Sequence, residues 1–531
     1  MKISAIEITN FRSIKRMVIT GPYGDVWTFI GQNNAGKSSV FQAIRAFYGD
    51  YDVEYGDFCR SSSETDPIEI IIEYILDDEE FKQLPEYYKL PDNRLKVVGK
   101  FTKDRMKGEW HGFEIQNKQI TEREEEFFGQ KNVLIGKLGE VIYVPAVKEL
   151  AEELKKNKSS IFTKLVSRIL SEALTTLPSW NGLVNQAQEF AKDLRNPVKD
   201  TGDGDIKSVH EIEAKLGEML SPWQLKPQIL VSPPTPEDII LSGASLKLIG
   251  EQSNQEENPL TLGSGAQRSI VNSLLLLWAQ IQSKKTKTDK KKFNGNLTLL
   301  LYEEPEALLH YDQIKKLSKY LEDIARSDSN QVFACTHSPD FISTKRSSLS
   351  CITRFVKESV ETQIYKPDQT FLDDLNKTTN DFDFVLWLNP DRNTMFFVDK
   401  VILVEGSTDK ALLNFLIQEN DLSTNVYIVD CGMKSNIPQF MKLCEKFGIK
   451  HSVMFDSDGN ERKHKGWNQS ILDAKSIFTK NLLSFPTDLE DYIEFEKPKE
   501  QHKKPLELLK QARDGKLQDK FKLEFIKFIE E

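Results

Sequence analysis

Apolar and polar residues alternate along Lys2–Thr9, which predicts a strand with one buried face. Asn10-Phe11-Arg12-Ser13 reads as a turn, and Val26–Ile30 as a second strand running into the stretch Gly31–Ser38. Ser39–Tyr48 follows as a helix. Pro67–Leu76, Leu95–Phe101 and Trp110–Ile115 predict further strands, and Val141–Pro145 a short one. From about 147 to 221 apolar residues recur every three or four positions (Ile161, Leu165, Ile169, Leu174), which predicts helices with charged outer faces. Pro178, Pro197 and Gly202 interrupt this tract, too often for a long coiled-coil arm. Two readings of it stay open: a dimerisation module, or a helical layer packed on the sheet.

Asp238–Gly250 is again strand-like, Gln252–Pro259 is a polar loop, and Gln267–Ile281 is a strongly apolar helix. The basic run Lys284–Lys292 suits a solvated loop, with DNA contact as the other reading. Leu297–Tyr302 and Gln331–Thr336 are apolar enough for buried strands. Residues 345 to 395 read as a connector with two strands and then helical material rich in Asp and Asn. Val401–Val404 predicts a buried parallel strand, followed at once by Glu405, Gly406 and Asp409. About fifty residues later Ser452–Phe455 predicts another, ending in Asp456 and Asp458. Open α/β sheets bind ligands at the carboxyl ends of their strands. Two acidic pairs there suit a divalent cation. A third acidic cluster, Asp488-Leu489-Glu490-Asp491, is either part of that site or a helix-capping turn.

A chain of 531 residues is too long for one core, so several domains are expected. The formal net charge of -10 argues against passive coating of nucleic acid but leaves room for a local basic groove. Cys59, Cys335, Cys351, Cys431 and Cys444 are scattered without a CxxC pair, which predicts reduced thiols in a cytoplasmic protein and no zinc site. No apolar run is long enough for a membrane span.

Gly31–Ser38 fits G-x-x-x-x-G-K-[ST], between a predicted strand and a predicted helix. Backbone N–H groups of Asn33, Asn34, Ala35 and Gly36 would cradle phosphate, with Ser39 next to them. Lys37 would reach the β/γ-phosphates of ATP and Ser38 would ligate Mg²⁺. Leu299–Tyr302 ends in two carboxylates: Glu303 to hold Mg²⁺ through water, Glu304 to polarise the attacking water. His337 ends the next strand, where it can touch the γ-phosphate. Ser264, Gly265 and Gln267 lie at the start of an apolar helix, where small residues form an anion site. Asp57 is a candidate for a further nucleotide-site loop.

This order (phosphate loop, signature, acidic strand, switch histidine) resembles the ABC-type ATPase head, and ISAIEITNFRSI is similar to the opening of its recombination and chromosome-maintenance members. The resemblance implies that the signature loop of one subunit caps ATP held by another, hence a head-to-head dimer. Glu303 stands where an Asp is usual, and GSGAQ replaces LSGGQ; both departures favour slow or gating use of ATP. Glu405, Asp409, Asp456 and Asp458 resemble the Toprim arrangement of topoisomerases, bacterial primases and certain nucleases. In the resembling nucleases an acid here completes the second metal site, and Glu490 is the match. Such a site wants a cation near the scissile phosphate, for which Lys504 is the candidate among Lys497, Lys499, Lys503 and Lys504, and Lys434, in a glycine turn beside the site, is placed to approach phosphate.

An ABC-type head followed by a Toprim domain resembles the OLD (overcoming lysogenization defect) family, a layout shared with Gabija-type antiphage nucleases. It implies an α/β chain: head at 1–146 and 231–345, helical insertion at 147–230, connector at 346–396, and a Rossmann-like Toprim domain at 397–531. It also implies Mg²⁺- or Mn²⁺-dependent DNA cleavage by a two-metal mechanism under ATP control. Phage defence or DNA repair is the expected setting, as a homodimer or higher oligomer, sometimes with a helicase-like or effector partner. Other readings remain: an ATPase sensor scaffold with an inert Toprim domain, or a primase, although no zinc-binding cysteine cluster is present. A topoisomerase would need a DNA-gate domain for which the chain has no room.

Overall fold

The computed structural model describes residues 1–21, 24–63, 65–129, 137–146, 149–154, 160–174, 209–220, 245–250, 255–283, 293–342, 346–378, 388–422, 425–458, 462–495, 500 and 503–530, with a few isolated positions between 182 and 243. The chain divides into two compact units, Met1–Ala146 with Gln282–Glu531, and Val147–Ile281.

In the first unit, β1 (Lys2–Phe11), β2 (Ile14–Thr20), β4 (Ile68–Ile75), β5 (Arg94–Phe101), β6 (Glu109–Gln116) and β7 (Gln119–Glu126) form an antiparallel sheet in the order β2-β1-β4-β5-β6-β7. The alternation of Ile3, Ile6 and Ile8 with half-exposed neighbours on β1 is the pattern of a sheet with one buried face. The expected turn at 10–13 is shorter: the strand runs on to Phe11, and Asn10 and Arg12 take left-handed backbone (φ 61° and 54°) to reverse the chain.

A second sheet contains β3 (Trp27–Gly31), β8 (Glu140–Val144), β11 (Thr298–Glu303), β12 (Asn330–Cys335), β13 (Ile352–Glu358) and β14 (Glu361–Tyr365), in the order β14-β13-β3-β12-β11-β8. All its pairings are parallel except β13 with β14. Residues 352–365, expected within a connector, therefore extend this sheet beside the phosphate-loop strand. Phe29, Leu299, Leu301 and Phe333 face a core shared with the first sheet and with α1 (Lys37–Phe47).

The third sheet is wholly parallel: β15 (Lys400–Val404), β16 (Val426–Asp430), β17 (Lys450–Asp456) and β18 (Thr479–Phe485), in the order β16-β15-β17-β18. Val401 and Leu403 pack in one core, Ile402 and Val404 in another. Burial on both faces explains the unbroken apolar run. Chain order reverses at β15, so the crevice between the carboxyl ends of β15 and β17 is the switch point where such sheets bind ligands.

The second unit holds helices Leu150–Glu153, Ile161–Leu174, Val209–Leu220 and α2 (Ser264–Ser283), with a two-stranded pair of β9 (Leu248–Ile249) and β10 (Glu256–Glu257). Of the strand expected over 238–250, residues 238–242 and 244 lie outside the described residues and the described part is strand only at β9; the basic run 284–292 lies outside them too. Among the described residues no helix is long and apolar enough to cross a membrane. All five cysteines are buried and free.

Candidate functional site

β3 is buried at every position and delivers the chain into the phosphate loop at the carboxyl edge of its sheet. Gly31 has φ 135° and Gly36 φ 98°, and each lies where a Cβ would collide, with the Phe355 carbonyl oxygen and with Thr362 Oγ1. Asn33, Asn34 and Ser38 are exposed, Ala35 and Ser39 buried. Lys37 is buried, donates to the carbonyls of Gly31 (2.9 Å) and Gln32 (2.7 Å), and is held below its usual pKa by burial. No acidic residue stands in the first turn of α1, so its amino end is left to an anion.

The parallel pairing of β11 with β12 and of β12 with β3 brings Glu303 and His337 to this same edge. Tyr143 donates to Glu303 Oε2 at 2.9 Å, while Oε1 is buried without a hydrogen-bond partner. The Arg45 guanidinium lies 4.0 Å from the centre of the Tyr143 ring. Glu304 is exposed, on left-handed backbone (φ 41°). Burial, with the Lys37 cation adding to it, lowers the His337 imidazole to about 4, so it is neutral near pH 7. Glu306 accepts from the His337 amide (2.7 Å) and Thr336 Oγ1 (2.9 Å) and is raised by burial. Glu306, Tyr143 and Arg45 carry no assignment from sequence; Glu306 alone sits inside a recognisable motif. The oxygens of Asp57 accept from Arg12 (2.7 Å), Tyr51 (2.9 Å) and the Glu54 amide (3.0 Å), which anchors the local turn.

Ser264 and Gly265 begin α2 in the other unit. Gln267 donates to the carbonyls of Leu260 (3.0 Å) and Leu262 (2.8 Å).

The acidic site forms at the switch point of the parallel sheet. Glu405 follows β15 and accepts from the Asp456 amide (2.7 Å). Asp409, in the first turn of α4 (Ser407–Glu419; α3 is Tyr311–Ala325), accepts from the Gly406 amide (3.1 Å). Asp456 ends β17 and accepts from the Leu489 amide (2.9 Å). Asp458, at φ 49°, pairs with the buried Lys434 at 2.8 Å. Glu490 is 1% exposed; Lys504 meets its Oε1 at 2.5 Å, and its Oε2 is buried without a hydrogen-bond partner. Burial, followed by repulsion from Glu405 and Glu490, raises Asp409 to about 7. Burial, followed by Glu405, Asp409, Glu490 and Asp458, raises Asp456 to about 8. The expected carboxylates therefore share one electrostatic neighbourhood, with Lys504 on it. Lys434, expected to approach phosphate, is instead buried against Asp458 and the Asp456 carbonyl.

Such a cluster fits a divalent cation. Its donors are all oxygen, the preference of Mg²⁺ and Mn²⁺. An orphaned buried carboxylate oxygen and two acids raised by burial and then by crowding are costs that a central cation would remove. Among the described residues no group of three or more His, Cys, Asp or Glu side chains is yet drawn together closely enough to hold a metal ion. Backbone amides and lysines are the partners of these oxygens instead.

The fold and these two sites define an ATPase joined to a Toprim domain, and comparison with known proteins agrees. The family described as "AAA ATPase domain" matches residues 1–109 and 96–342, and this chain belongs to it. The family described as "Overcoming lysogenization defect protein-like, TOPRIM domain" matches residues 396–458. The OLD nuclease of Thermus scotoductus is 25% identical over 202 residues, 37% of this chain and 35% of that protein, so the match spans about a third of that relative. Endonuclease GajA of Bacillus cereus is 21% identical across 97% of this chain and 86% of its own length. The crystal structure of an Smc head domain with an extended coiled coil, bound to the C-terminal domain of ScpA derived from Pyrococcus furiosus, is similar at 12% identity and a TM-score of 0.39. It covers 71% of this chain and 98% of its own, and no inference rests on it.

Proposed function

We propose that this chain is an ATP-binding, divalent-metal-dependent DNA endonuclease in which the nucleotide governs cleavage. The observation that carries the reading is the cluster of Glu405, Asp409, Asp456, Asp458 and Glu490 at the switch point, with Glu490 Oε2 buried and unpaired. Glu405, Asp409, Asp456, Asp458 and Glu490 would hold Mg²⁺ or Mn²⁺, which would supply charge stabilisation and an activated water at a phosphodiester. Asp456 and Glu405 are locked to each other through the Asp456 amide, which fixes the angle between the two strand ends. Lys504, half-exposed beside Glu490, stands where it can pass from that carboxylate to a phosphate oxygen as charge develops. At the other site Lys37, Ser38 and Glu303 would hold Mg²⁺ with ATP, Glu304 would orient water, and neutral His337 would donate or accept one hydrogen bond at the γ-phosphate. Ser264, Gly265 and Gln267 would act on the nucleotide of a partner head, in a homodimer or larger assembly. A cytoplasmic role in phage defence or DNA repair, beside a helicase-like or effector protein, follows from the same likeness.

The test is nicking of supercoiled plasmid with Mn²⁺ by the full chain and by Glu405→Ala and Asp456→Ala. Each substitution is expected to lower the rate at least about 100-fold. Nicking at the unsubstituted rate in both would overturn the proposal.

A further inference from the structure

β13 lies beside the phosphate-loop strand, with Arg354 opposite Ile30 and Phe355 opposite Gly31. The two residues face opposite ways. Phe355 joins the core shared with the first sheet, and its carbonyl oxygen crowds Gly31. On the other face Ile30 packs in one core with Phe396, Val401 and Phe447. Arg354 is 2% exposed there and donates to four backbone carbonyls: Nε to Phe396 (3.0 Å), Nη2 to Val398 (2.8 Å), Nη1 to Phe447 (3.1 Å) and Gly448 (3.2 Å).

Those carbonyls are at two entrances. Phe396 and Val398 lead into β15, which runs to Glu405, and Phe447 and Gly448 lead into β17, which ends in Asp456. One guanidinium therefore holds the starts of both acid-bearing strands. Tyr365, the cross-strand partner of Arg354, reinforces this grip, because its ring lies where a Cβ on Gly448 would go.

A buried cation carries a desolvation cost of several kcal/mol, and apolar residues of similar volume often fill such places without loss of stability. A planar fork does what they cannot: it fixes the mutual orientation of two chain segments. We propose that Arg354 is a positioning residue through which nucleotide bound at Gly31–Ser38 alters the setting of Glu405 and Asp456. A strand of five to seven residues is about 17–23 Å long and stiff, so a small rotation at its start reaches its carboxylate end. The proposal rests on the nuclease reading for what the acidic site does, and not for the link between the two sites.

The experiment is amide hydrogen exchange of the full chain with and without a non-hydrolysable ATP analogue, followed in peptides covering 31–38, 400–409 and 450–458. In the unsubstituted protein the analogue is expected to slow exchange at 31–38 and to change it at least about fivefold at 400–409 and 450–458. Arg354→Lys keeps the charge and loses the fork. It should retain the effect at 31–38 and bring the change at the acidic strands below about twofold. Arg354→Met, which keeps volume without charge, should do the same. Three results overturn the proposal: no change at the acidic strands of the unsubstituted protein, an unaltered change in Arg354→Lys, or loss of the 31–38 effect together with a lowered Tm in both variants, which would make Arg354 a structural staple only. Plasmid nicking measured alongside separates the two readings. Absent nicking with intact coupling refutes the nuclease and leaves the coupling standing.

Discussion

Metal-free protein should lose stability as pH rises from 6.5 to 8, and a single isosteric substitution should remove most of that loss. Asp409 and Asp456 are raised from 3.8 to about 7 and about 8 in the folded chain. A carboxyl with a raised folded pKa binds its proton more tightly folded than unfolded. Between the two pKa values the folded state therefore holds the extra proton, and stability falls as pH increases. His337 and His451 are lowered from 6.5 to about 4, chiefly by burial, and act with the opposite sign. Their contribution is fully present above 6.5 and is lost as pH falls towards 4. Above pH 6.5 the histidines contribute little more, and Lys2, lowered to about 8 by burial, opposes the acids only near the top of the window, so the acids dominate the change from 6.5 to 8.

Across that window Asp456 keeps its proton for about 1.5 pH units, worth about 2 kcal/mol at 1.36 kcal/mol per unit. Asp409 adds less than about 1 kcal/mol, and since each acid raises the other the two do not sum in full. For a cooperative unit of 150–250 residues, about 2 kcal/mol corresponds to roughly 4–8 °C in Tm. The assay is thermal unfolding at pH 6.5 and 8, with chelator and with Mn²⁺. In chelator the unsubstituted chain should melt several degrees lower at pH 8. Asp456→Asn keeps the oxygen that accepts from the Leu489 amide and cannot ionise, so its Tm should change little. Mn²⁺ should abolish the fall, because a bound cation takes the place of the proton. If Asp456→Asn keeps the full fall, or if Mn²⁺ leaves it unchanged, crowding of these carboxylates is not its cause.

Two further outcomes are expected. ATP hydrolysis should show no titration near pH 6.5 that is removed by His337→Gln, because the imidazole is neutral down to about 4; a midpoint near 6.5 assigned to His337 would contradict its burial. Gly36→Ala should weaken ATP binding at least about tenfold and lower Tm, since φ 98° and the Thr362 hydroxyl leave no place for a methyl group; unchanged affinity would show that the loop takes another backbone path.

What could be read in the sequence depended on whether the signal was local. Val401–Val404 and Leu299–Tyr302 are apolar on both faces, and the acidic residues that matter follow them directly, so strand and site emerge together. β7 (QITEREEE) is an edge strand with few buried positions, so it has no apolar period and went unpredicted. β2 and α3 also went without a predicted element. Tyr143 meets Glu303 across 160 positions, and Arg354 meets Gly448 across 94, distances over which no periodicity speaks. β13 and β14 were legible as strands, but not their place beside β3, since parallel neighbours in a sheet are chosen by the fold and not by spacing along the chain.

Both sites use the same backbone device at the acidic end of a parallel strand. Glu304 directly follows β11 at φ 41°, and Asp458 follows β17 at φ 49°. Left-handed backbone costs a non-glycine residue roughly 1–2 kcal/mol, so it persists where neighbours hold it. Glu304 is held by its amide on the Cys335 carbonyl (2.8 Å), Asp458 by its amide on the Thr487 carbonyl (2.9 Å). Cys335 is the last residue of the adjoining parallel strand β12, and Thr487 lies just past the end of β18, so each turn continues the sheet's own hydrogen bonding at its edge. A glycine would adopt this turn freely but carries no carboxylate. A residue on ordinary extended backbone would continue along the strand instead of turning at the edge. The strain is thus the cost of setting a charged side chain at the mouth of the crevice, and it falls at two residues of the proposed sites.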